Sequence, residues 1–385
     1  MRITRLKLEN WKNFQSIDIP LRARAFFIGP NASGKSNLLD ALRFLRDVAA
    51  TQGGGLQSAV ARRGGVRGLR CLAARRTPDI AIEVEIGDDD GAQWRYGLAL
   101  KHGRDDQPVI TRESVTMVSE GVEHPLLERP DDNDKADPER LSETHLEQIS
   151  ANKAFRDIAD FLRSVSYLHA VPQIIRAPGR FQPEPDDPFG GRLLARIGET
   201  TKKTRDARMK RMNGALRIAV PQLDELQLEI DSDGVPHLKA KYRHWRPYGA
   251  WQREDQFSDG TLRLLGLVWA LMEKGGPLLL EEPELSLHSA VVEKLAAVIR
   301  AATRRGGRQS LITTHSADLL SDPGIGLDEV FVLTPGDNGT TILQPAQHAD
   351  IRAMMEQGIS LPEALLPLSR PPAPEELPLF ARDWT

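Results

Sequence analysis

The segment Gly29-Pro30-Asn31-Ala32-Ser33-Gly34-Lys35-Ser36 has the spacing G-x-x-x-x-G-K-[ST], follows the apolar run Ala25-Phe26-Phe27-Ile28, and opens a stretch with apolar residues at helical intervals. A loop of this kind between a strand and a helix constrains the fold more tightly than any other stretch of the chain, because its chemistry works only in that setting. Glycines let the backbone wrap closely around an anion, while the loop N–H groups and the helix N-terminus supply positive potential. Lys35 then reaches the β- and γ-phosphates of a nucleotide, and Ser36 can ligate magnesium. The expected contacts run over Gly29, Pro30, Asn31, Ala32, Ser33, Gly34, Lys35, Ser36 and Asn37. The plainer alternative is a glycine turn carrying a surface lysine.

At 385 residues the chain exceeds one typical domain, and two lobes are expected. Its 51 Lys and Arg against 54 Asp and Glu give a net charge of −3, so overall charge gives no support for nucleic-acid binding and any such surface must be local. The opening residues Met1 to Leu8 alternate like a strand and lack the apolar core of a secretory signal. No stretch approaches the roughly eighteen apolar residues of a membrane span, so a soluble, cytoplasmic protein is expected. The single cysteine, Cys71, rules out an intrachain disulfide framework and a Cys cluster for zinc, and reads as a small, partly buried residue.

Ile3 to Leu8 and Phe26 to Ile28 read as strands bracketing Asn10-Trp11-Lys12-Asn13-Phe14, and Leu38, Leu39, Leu42, Leu45 and Val48 give residues 36–50 a helical period. Residues 54–78 hold Arg62, Arg63, Arg67, Arg70, Arg75 and Arg76 and no acid. Residues 79–86 and 94–100 flank Gly87-Asp88-Asp89-Asp90-Gly91 as a β-hairpin. Residues 120–140 contain eight acids and three bases with little apolar content, the composition of a solvated or mobile insertion, and no secondary structure is assigned there. Phe155, Ile158, Phe161 and Leu162 restore a helical period, residues 165–171 form a short strand leading into Pro172-Gln173, and residues 183–188 read as a loop. Between Arg192 and Arg217 nine bases face only Glu199 and Asp206, on helices with Leu193, Ile197, Met209, Met212 and Leu216 as their apolar side. A second hairpin is expected from residues 226–230 and 235–242. The tail from Leu361, with six prolines in its last 25 residues, should be extended or disordered.

Pro277-Leu278-Leu279-Leu280-Glu281-Glu282-Pro283-Glu284 is a buried-strand run ending in acids, the form of a Walker B element. Glu281 would hold magnesium through its hydration shell, and Glu282 would orient and deprotonate the attacking water, since phosphoryl transfer mainly needs positioning and charge neutralisation. Glu281 is one methylene longer than the commoner aspartate, which alters the geometry around the metal. A surface acid pair is the bland alternative. Leu311-Ile312-Thr313-Thr314-His315-Ser316 is a further apolar strand ending in polar residues, and His315 there could contact a γ-phosphate, at the strand edge where doubly wound sheets place ligands. Gln256-Phe257-Ser258-Asp259-Gly260-Thr261 directly precedes an apolar helix over 262–272; alone it is an N-cap signal, and just upstream of the acidic strand it is also a second anion site.

An N-terminal Walker A loop, a long insertion, a Ser-x-Gly signature, Glu-Glu-Pro-Glu and a strand-end histidine together resemble the ABC-type ATPases of the RecF, SMC and OLD-like group, chains commonly labelled AAA-family ATPases. The opening Ile3-x-x-Leu6-x-Leu8-x-Asn10-x-x-x-Phe14 is similar to the group's first strand and loop, and the likeness covers roughly residues 1–50 and 165–345. It implies an α/β P-loop NTPase fold, an ABC-type head split between the chain ends, with an antiparallel β portion and an inserted helical lobe. The corresponding division is an N-terminal ATPase lobe over 1–118, an acidic and helical insertion over 119–164, a core strand with cationic helices and a hairpin over 165–255, a C-terminal ATPase lobe over 256–345, and a proline-rich tail over 346–385. In such proteins two copies sandwich ATP and Mg2+, so the resemblance implies a homodimer in which Ser258 and Gly260 of one copy cap the γ-phosphate held by the other. Gln173 resembles the Q-loop glutamine that joins magnesium to the insertion, a simple turn glutamine being the alternative, and Leu285-Ser286-Leu287-His288 would occupy the D-loop. Two departures stand out. The insertion lacks the sustained heptads of a long coiled-coil arm, and the sequence after His315 leaves no room for the Toprim nuclease domain of OLD proteins.

The leading expectation is therefore a Mg-dependent ATPase whose nucleotide-driven dimerisation acts on DNA or on a separately encoded effector or nuclease, in DNA repair or anti-phage defence. The arginines of 62–76 and the cationic helices of 192–217 could meet phosphates, or could simply be solvated faces. The alternatives are the nucleotide-binding subunit of a membrane transporter, which needs neither the acidic insertion nor this length, and a nucleotide-gated scaffold with little hydrolysis.

Overall fold

Alternation along the first strands builds a sheet with one buried face, and the chain then passes through the P-loop into a helix. The computed structural model describes residues 1–74, 79–104, 107–177, 187–244, 250–370 and 374–376. The chain divides into two units, Met1–Ser164 with Thr313–Thr385, and Val165–Ile312.

In the first unit β1 (Arg2–Trp11) and β2 (Phe14–Pro20) form a hairpin, β3 (Arg24–Ile28) leads into the P-loop, and α1 (Lys35–Ala49) leaves it. Ile3 and Leu6 both face the core despite their odd spacing, because the register with the neighbouring strand shifts between Ile3 and Arg5. Two short helices, α2 (Leu56–Ala61) and α3 (Gly65–Leu69), precede the long strands β4 (Ile80–Asp88), β5 (Gly91–His102), β6 (Pro108–Ser119) and β7 (Val122–Arg129). The sheet runs β2-β1-β4-β5-β6-β7, antiparallel throughout, and the hairpin expected about residues 87–91 is β4 and β5. Buried along its whole length, β3 pairs in parallel with β14 (Val330–Gly336), which turns back into β15 (Gly339–Leu343). A strand covered on both faces reads as an unbroken apolar run, which is why Ala25 to Ile28 lacks alternation.

The apolar residues that gave α1 its period are all buried, with α5 (Arg156–Arg163) packed against it. The stretch of residues 120–140, read as solvated or mobile and given no secondary structure, is exposed over most of its length but does form β7 and then α4 (Asp132–Ala136), which Asp131 and Asp134 close with reciprocal capping bonds. Of its charged residues only Arg129 and Asp134 are buried, and most of the others stay exposed. Arg129, 1% exposed, donates to Glu113 and Asp134 at 2.9 Å each and to the carbonyls of Glu143 and Arg140 at 2.9 and 2.8 Å. Arg63, from the arginine-rich segment, is likewise consumed internally by Asp40 and Asp47; Arg75 and Arg76 lie outside the described residues. Burial alone would raise the Asp40 carboxyl, yet Arg63 and Lys12 beside it hold it below its ordinary value.

The tail also departs from expectation over its first part. After α11 (Ala317–Leu320) and α12 (Ala349–Glu356), α13 (Leu361–Leu365) buries Leu361 and Leu365, and Ser360 and Glu363 cap its start. Pro362 sits in the first helical turn, where a missing N–H costs nothing, so this proline marks a helix start rather than disorder. Residues 377–385 of the tail lie outside the described residues.

In the second unit β8 (Ser166–Leu168) is shorter than the 165–171 expected and gives way to α6 (Pro172–Arg176); of the loop expected over 183–188, residues 183–186 lie outside the described residues. Next come α7 (Leu193–Glu199) and α8 (Lys202–Ala219), then an antiparallel sheet in the order β11-β10-β9, from β9 (Leu223–Ile230), β10 (Pro236–Tyr242) and β11 (Ala250–Arg253). The apolar helix expected after residue 261 is α9 (Asp259–Met272). It packs on α8, where the Arg208 guanidinium lies 4.9 Å over the Trp269 ring. β12 (Leu278–Glu281) runs parallel to β8, and α10 (Ser289–Gly306) leads to β13 (Ser310–Thr314), within which the boundary between the two units falls. Buried Arg308 joins these parts, donating to Ala270 O and Gly276 O at 3.0 and 2.7 Å and to the Ser166 hydroxyl; its surroundings lower its pKa to about 10, burial being the main cause.

Candidate functional site

The P-loop begins where β3 ends. Ser33 N donates to Pro30 O at 3.2 Å and Leu38 N to Gly34 O at 2.9 Å, so the loop runs directly into α1. Ala32 and Gly34 have φ of +62° and +93°, and alternating handedness of this kind turns successive N–H groups toward one concavity. A Cβ on Gly34 would lie 1.9 Å from Nδ2 of Asn13, so both the backbone angle and the available space require glycine. Asn13, in the turn between β1 and β2, donates to Ser33 O at 3.1 Å and to Thr340 Oγ1 at 2.7 Å, and accepts from Asn37 Nδ2 at 2.8 Å. The Thr340 hydroxyl donates to the same Ser33 carbonyl at 2.9 Å. The loop is thus held from behind by two side chains distant in sequence.

Lys35 is 6% exposed and its Nζ donates to Gly29 O and Pro30 O at 3.0 and 3.1 Å, which carries the ammonium back across the loop. The Ser33 hydroxyl oxygen is buried with no hydrogen-bond partner among the described residues. A cradle with a cation folded over it and an unsatisfied buried hydroxyl fits an anionic ligand. Asn31, Ala32 and Ser36 are exposed, and Asn37 is half-buried, its carbonyl accepting from Trp11 Nε1 at 2.8 Å. His315, also in the first unit, is exposed where β13 ends, just before Ser316 caps α11.

Glu281 and Glu282 belong to the second unit. Leu278, Leu279 and Leu280 are buried, and Glu281 ends β12 partly exposed. The Tyr167 hydroxyl donates to Glu281 Oε2, and His169 Nδ1 donates to the Glu281 carbonyl at 3.3 Å. Glu282 has φ +43°, a conformation that costs a non-glycine residue about 1–3 kcal/mol and tends to be kept where function needs it. The turn behind it is closed by Leu285 N donating to Glu282 O at 3.2 Å.

Ser258 caps α9, its Oγ accepting from Thr261 N at 3.3 Å. A Cβ on Gly260 would come within 2.4 Å of Ser286 O, so the first turn of α9 lies directly on the D-loop segment. Arg176, from α6, donates to Phe257 O at 2.6 Å and to Asp259 Oδ1 at 2.5 Å, tying that helix to the signature. Gln173 is exposed in the first turn of α6, and its side chain makes no hydrogen bond among the described residues. On α9, burial lowers the Arg263 guanidinium, and the nearby charges of Asp259 and Glu282 offset part of that. Within the second unit the fold therefore gathers the signature, the D-loop and the acidic strand end.

Asn13, Thr340, Tyr167, Arg176 and Arg263 escape a reading of motifs because each acts by position rather than by spacing. Asn13 alone carried a signal, standing inside the opening pattern. Hydroxyl and carboxylate oxygens at Ser36 and Glu281 are the hard donors that magnesium takes. The described residues hold no group of three or more His, Cys, Asp or Glu suited to a metal.

No curated protein matches the chain. Among solved structures, an Smc head bound to the C-winged helix domain of ScpA aligns at 15% identity with a TM-score of 0.54, covering 89% of this chain and 97% of that one. An Smc head domain with an extended coiled coil, bound to the C-terminal domain of ScpA and derived from Pyrococcus furiosus, aligns at 13% and 0.52 over 92% and 99%. One from Pyrococcus yayanosii, with a coiled coil and joint, aligns at 12% and 0.51 over 93% and 99%. These matches establish the fold as that of an SMC-head, ABC-type P-loop ATPase. The family profile described as "AAA domain, putative AbiEii toxin, Type IV TA system" matches residues 24–322, from the P-loop strand past His315, and the chain belongs to that family of AAA domains.

Proposed function

We propose that the protein binds Mg-ATP and hydrolyses it to ADP and phosphate, and that two copies close around the nucleotide to act on DNA or on a separately encoded effector or nuclease, in the cytoplasm, in DNA repair or anti-phage defence. The observation that carries the reading is the P-loop itself, a cradle with a buried lysine over it and an unsatisfied hydroxyl inside. Magnesium, when bound, supplies charge neutralisation at the phosphates. Ser36 and Glu281 hold it, with Gln173 as a further contact. Lys35 steadies the β- and γ-phosphates, Glu282 orients the attacking water and takes its proton, and His315 contacts the γ-phosphate. Ser258 and Gly260 of a second copy close the site at the N-terminus of α9, a 14-residue helix whose positive end faces an anion favourably.

No helix among the described residues is long and apolar enough to cross a membrane. For a DNA contact the reading favours α8. Among the described residues, Lys202, Lys203, Lys210 and Arg211 on α8 are exposed and without an acid partner, whereas Arg196 pairs with Glu273, Arg217 with Asp224, and Arg208 lies over Trp269. The test is phosphate release by the purified protein with and without single- and double-stranded DNA. Turnover that needs magnesium and disappears in Glu282→Gln supports the reading, and no turnover under any condition would overturn hydrolysis.

A further inference from the structure

Glu281 stands where an aspartate is the commoner residue, and the extra methylene adds a torsion to the side chain that must present a carboxylate to the metal. Terminal carboxylate torsions are broad and soft, so a glutamate at a strand end needs something to fix it. The neighbouring strand supplies that. β8 runs parallel to β12 with Tyr167 opposite Leu279. Paired residues share a face, as do residues two apart along a strand, so Tyr167, Leu279 and Glu281 lie on the same side of the two strands. Tyr167 is 8% exposed, and its hydroxyl reaches along that face to donate to Glu281 Oε2. His169, next on the same face, holds the backbone at that point through the Glu281 carbonyl at 3.3 Å.

We propose that Tyr167 is the positioning residue for Glu281: its phenol, donating to Oε2, selects the carboxylate orientation in which the longer side chain does the work of an aspartate toward magnesium. The inference rests on the reading of Glu281 as the metal-side acid. In this role Tyr167 acts through that carboxylate. An aspartate at 281, one methylene shorter, would not reach the phenol, so the contribution of Tyr167 is specific to glutamate.

The experiment measures binding of a fluorescent non-hydrolysable ATP analogue across a magnesium titration and again in EDTA, in the parent, Tyr167→Phe, Glu281→Asp, Glu281→Ala and the double variant Tyr167→Phe/Glu281→Asp. Tyr167→Phe should raise the magnesium concentration at half-saturation about 3- to 10-fold, the range to which the net contribution of one ordinary hydrogen bond converts, and leave affinity in EDTA unchanged. In the Glu281→Asp background the same change should have no effect. An equal loss in EDTA, an equal loss in the aspartate background, or an unchanged titration would overturn the proposal. If Glu281→Ala itself leaves the magnesium titration unmoved, the assignment of Glu281 fails instead, so the two failures are distinguishable.

Discussion

Gly34→Ala separates two costs that meet at one atom. The first is conformational: alanine at φ +93° pays about 1–2 kcal/mol for a left-handed backbone. The second is steric, because the new Cβ would stand 1.9 Å from Asn13 Nδ2, far inside contact distance, and Asn13 cannot yield without giving up its bonds to Ser33 O, Thr340 and Asn37 at 3.1, 2.7 and 2.8 Å. At about 0.5–1.5 kcal/mol net each, displacing Asn13 from its three bonds costs roughly 1.5–4.5 kcal/mol. Asn13→Ala alone should weaken ATP binding about 5- to 30-fold, the equivalent of about 1–2 kcal/mol, if part of its bonding energy holds the loop in shape. Gly34→Ala alone should weaken it by 100-fold or more on the same arithmetic. The double variant has no amide to collide with, so it should bind no worse than Gly34→Ala, with a coupling energy of about 1–2 kcal/mol. Nucleotide affinity by calorimetry or fluorescence is the suitable assay, since unfolding of a chain with two units need not be two-state. Additive losses, within about 0.5 kcal/mol, would refute the claim that Asn13 shapes the loop through Gly34.

Replacing Arg129 with Met leaves Glu113 buried without its cation and Asp134 with Arg140 alone, which should cost about 3–5 kcal/mol and appear as a lowered Tm with loss of order around β7 and α4, read by hydrogen exchange. Arg129, as hydrogen-bond donor, holds the Asp134 carboxyl well below its ordinary range, so the stabilisation is complete above the unfolded value of about 4 and is lost as the solution is acidified further; melting curves from pH 6 down to pH 3 should fall more steeply for the parent than for Asp134→Asn. His237 shows the opposite sign: Glu254 raises its pKa most, burial opposes, and Asp231 adds to the rise. Its contribution is therefore present below about pH 6.5 and fades as pH climbs through the raised value, and His237→Gln should flatten the Tm profile between pH 6 and 9. Charge reversal of Lys203, Lys210 and Arg211 should weaken DNA binding and reduce the salt slope by about 3, at roughly one unit per phosphate contact; an unchanged slope in filter binding would exclude α8 as the DNA face.

The elements that were legible in the sequence are those whose residues signal by local period or turn chemistry. Leu38 to Val48 read as a helix, Gly87 to Gly91 as a hairpin turn, and Leu278 to Leu280 as a buried strand, because each pattern is complete within a few residues. The acidic stretch of 120–140 is exposed over most of its length, as its composition suggests, but composition hides its order: Arg129 saturates its guanidinium on acids and carbonyls from β6, α4 and the segment that follows, and pairing of that kind is invisible until the chain folds. The tail misled because proline reads as a breaker, whereas Pro362 occupies the turn where it helps to begin a helix. Within the site, Lys35, Glu281 and Glu282 announce themselves by motif. Asn13 and Thr340 meet behind the P-loop from opposite ends of the chain, and Tyr167 meets Glu281 across a strand pair; no local rule encodes either contact.

The account turns on Lys35 and Glu282 serving one ATP in successive roles, binding and then cleavage. The most direct measurement is the identity of the nucleotide retained after incubation with ATP and magnesium and rapid desalting, resolved by chromatography. The account predicts ADP on the parent, intact ATP on Glu282→Gln, and no nucleotide on Lys35→Ala. Nucleotide on Lys35→Ala at the parent level, or ADP formed by Glu282→Gln at the parent rate, would contradict it.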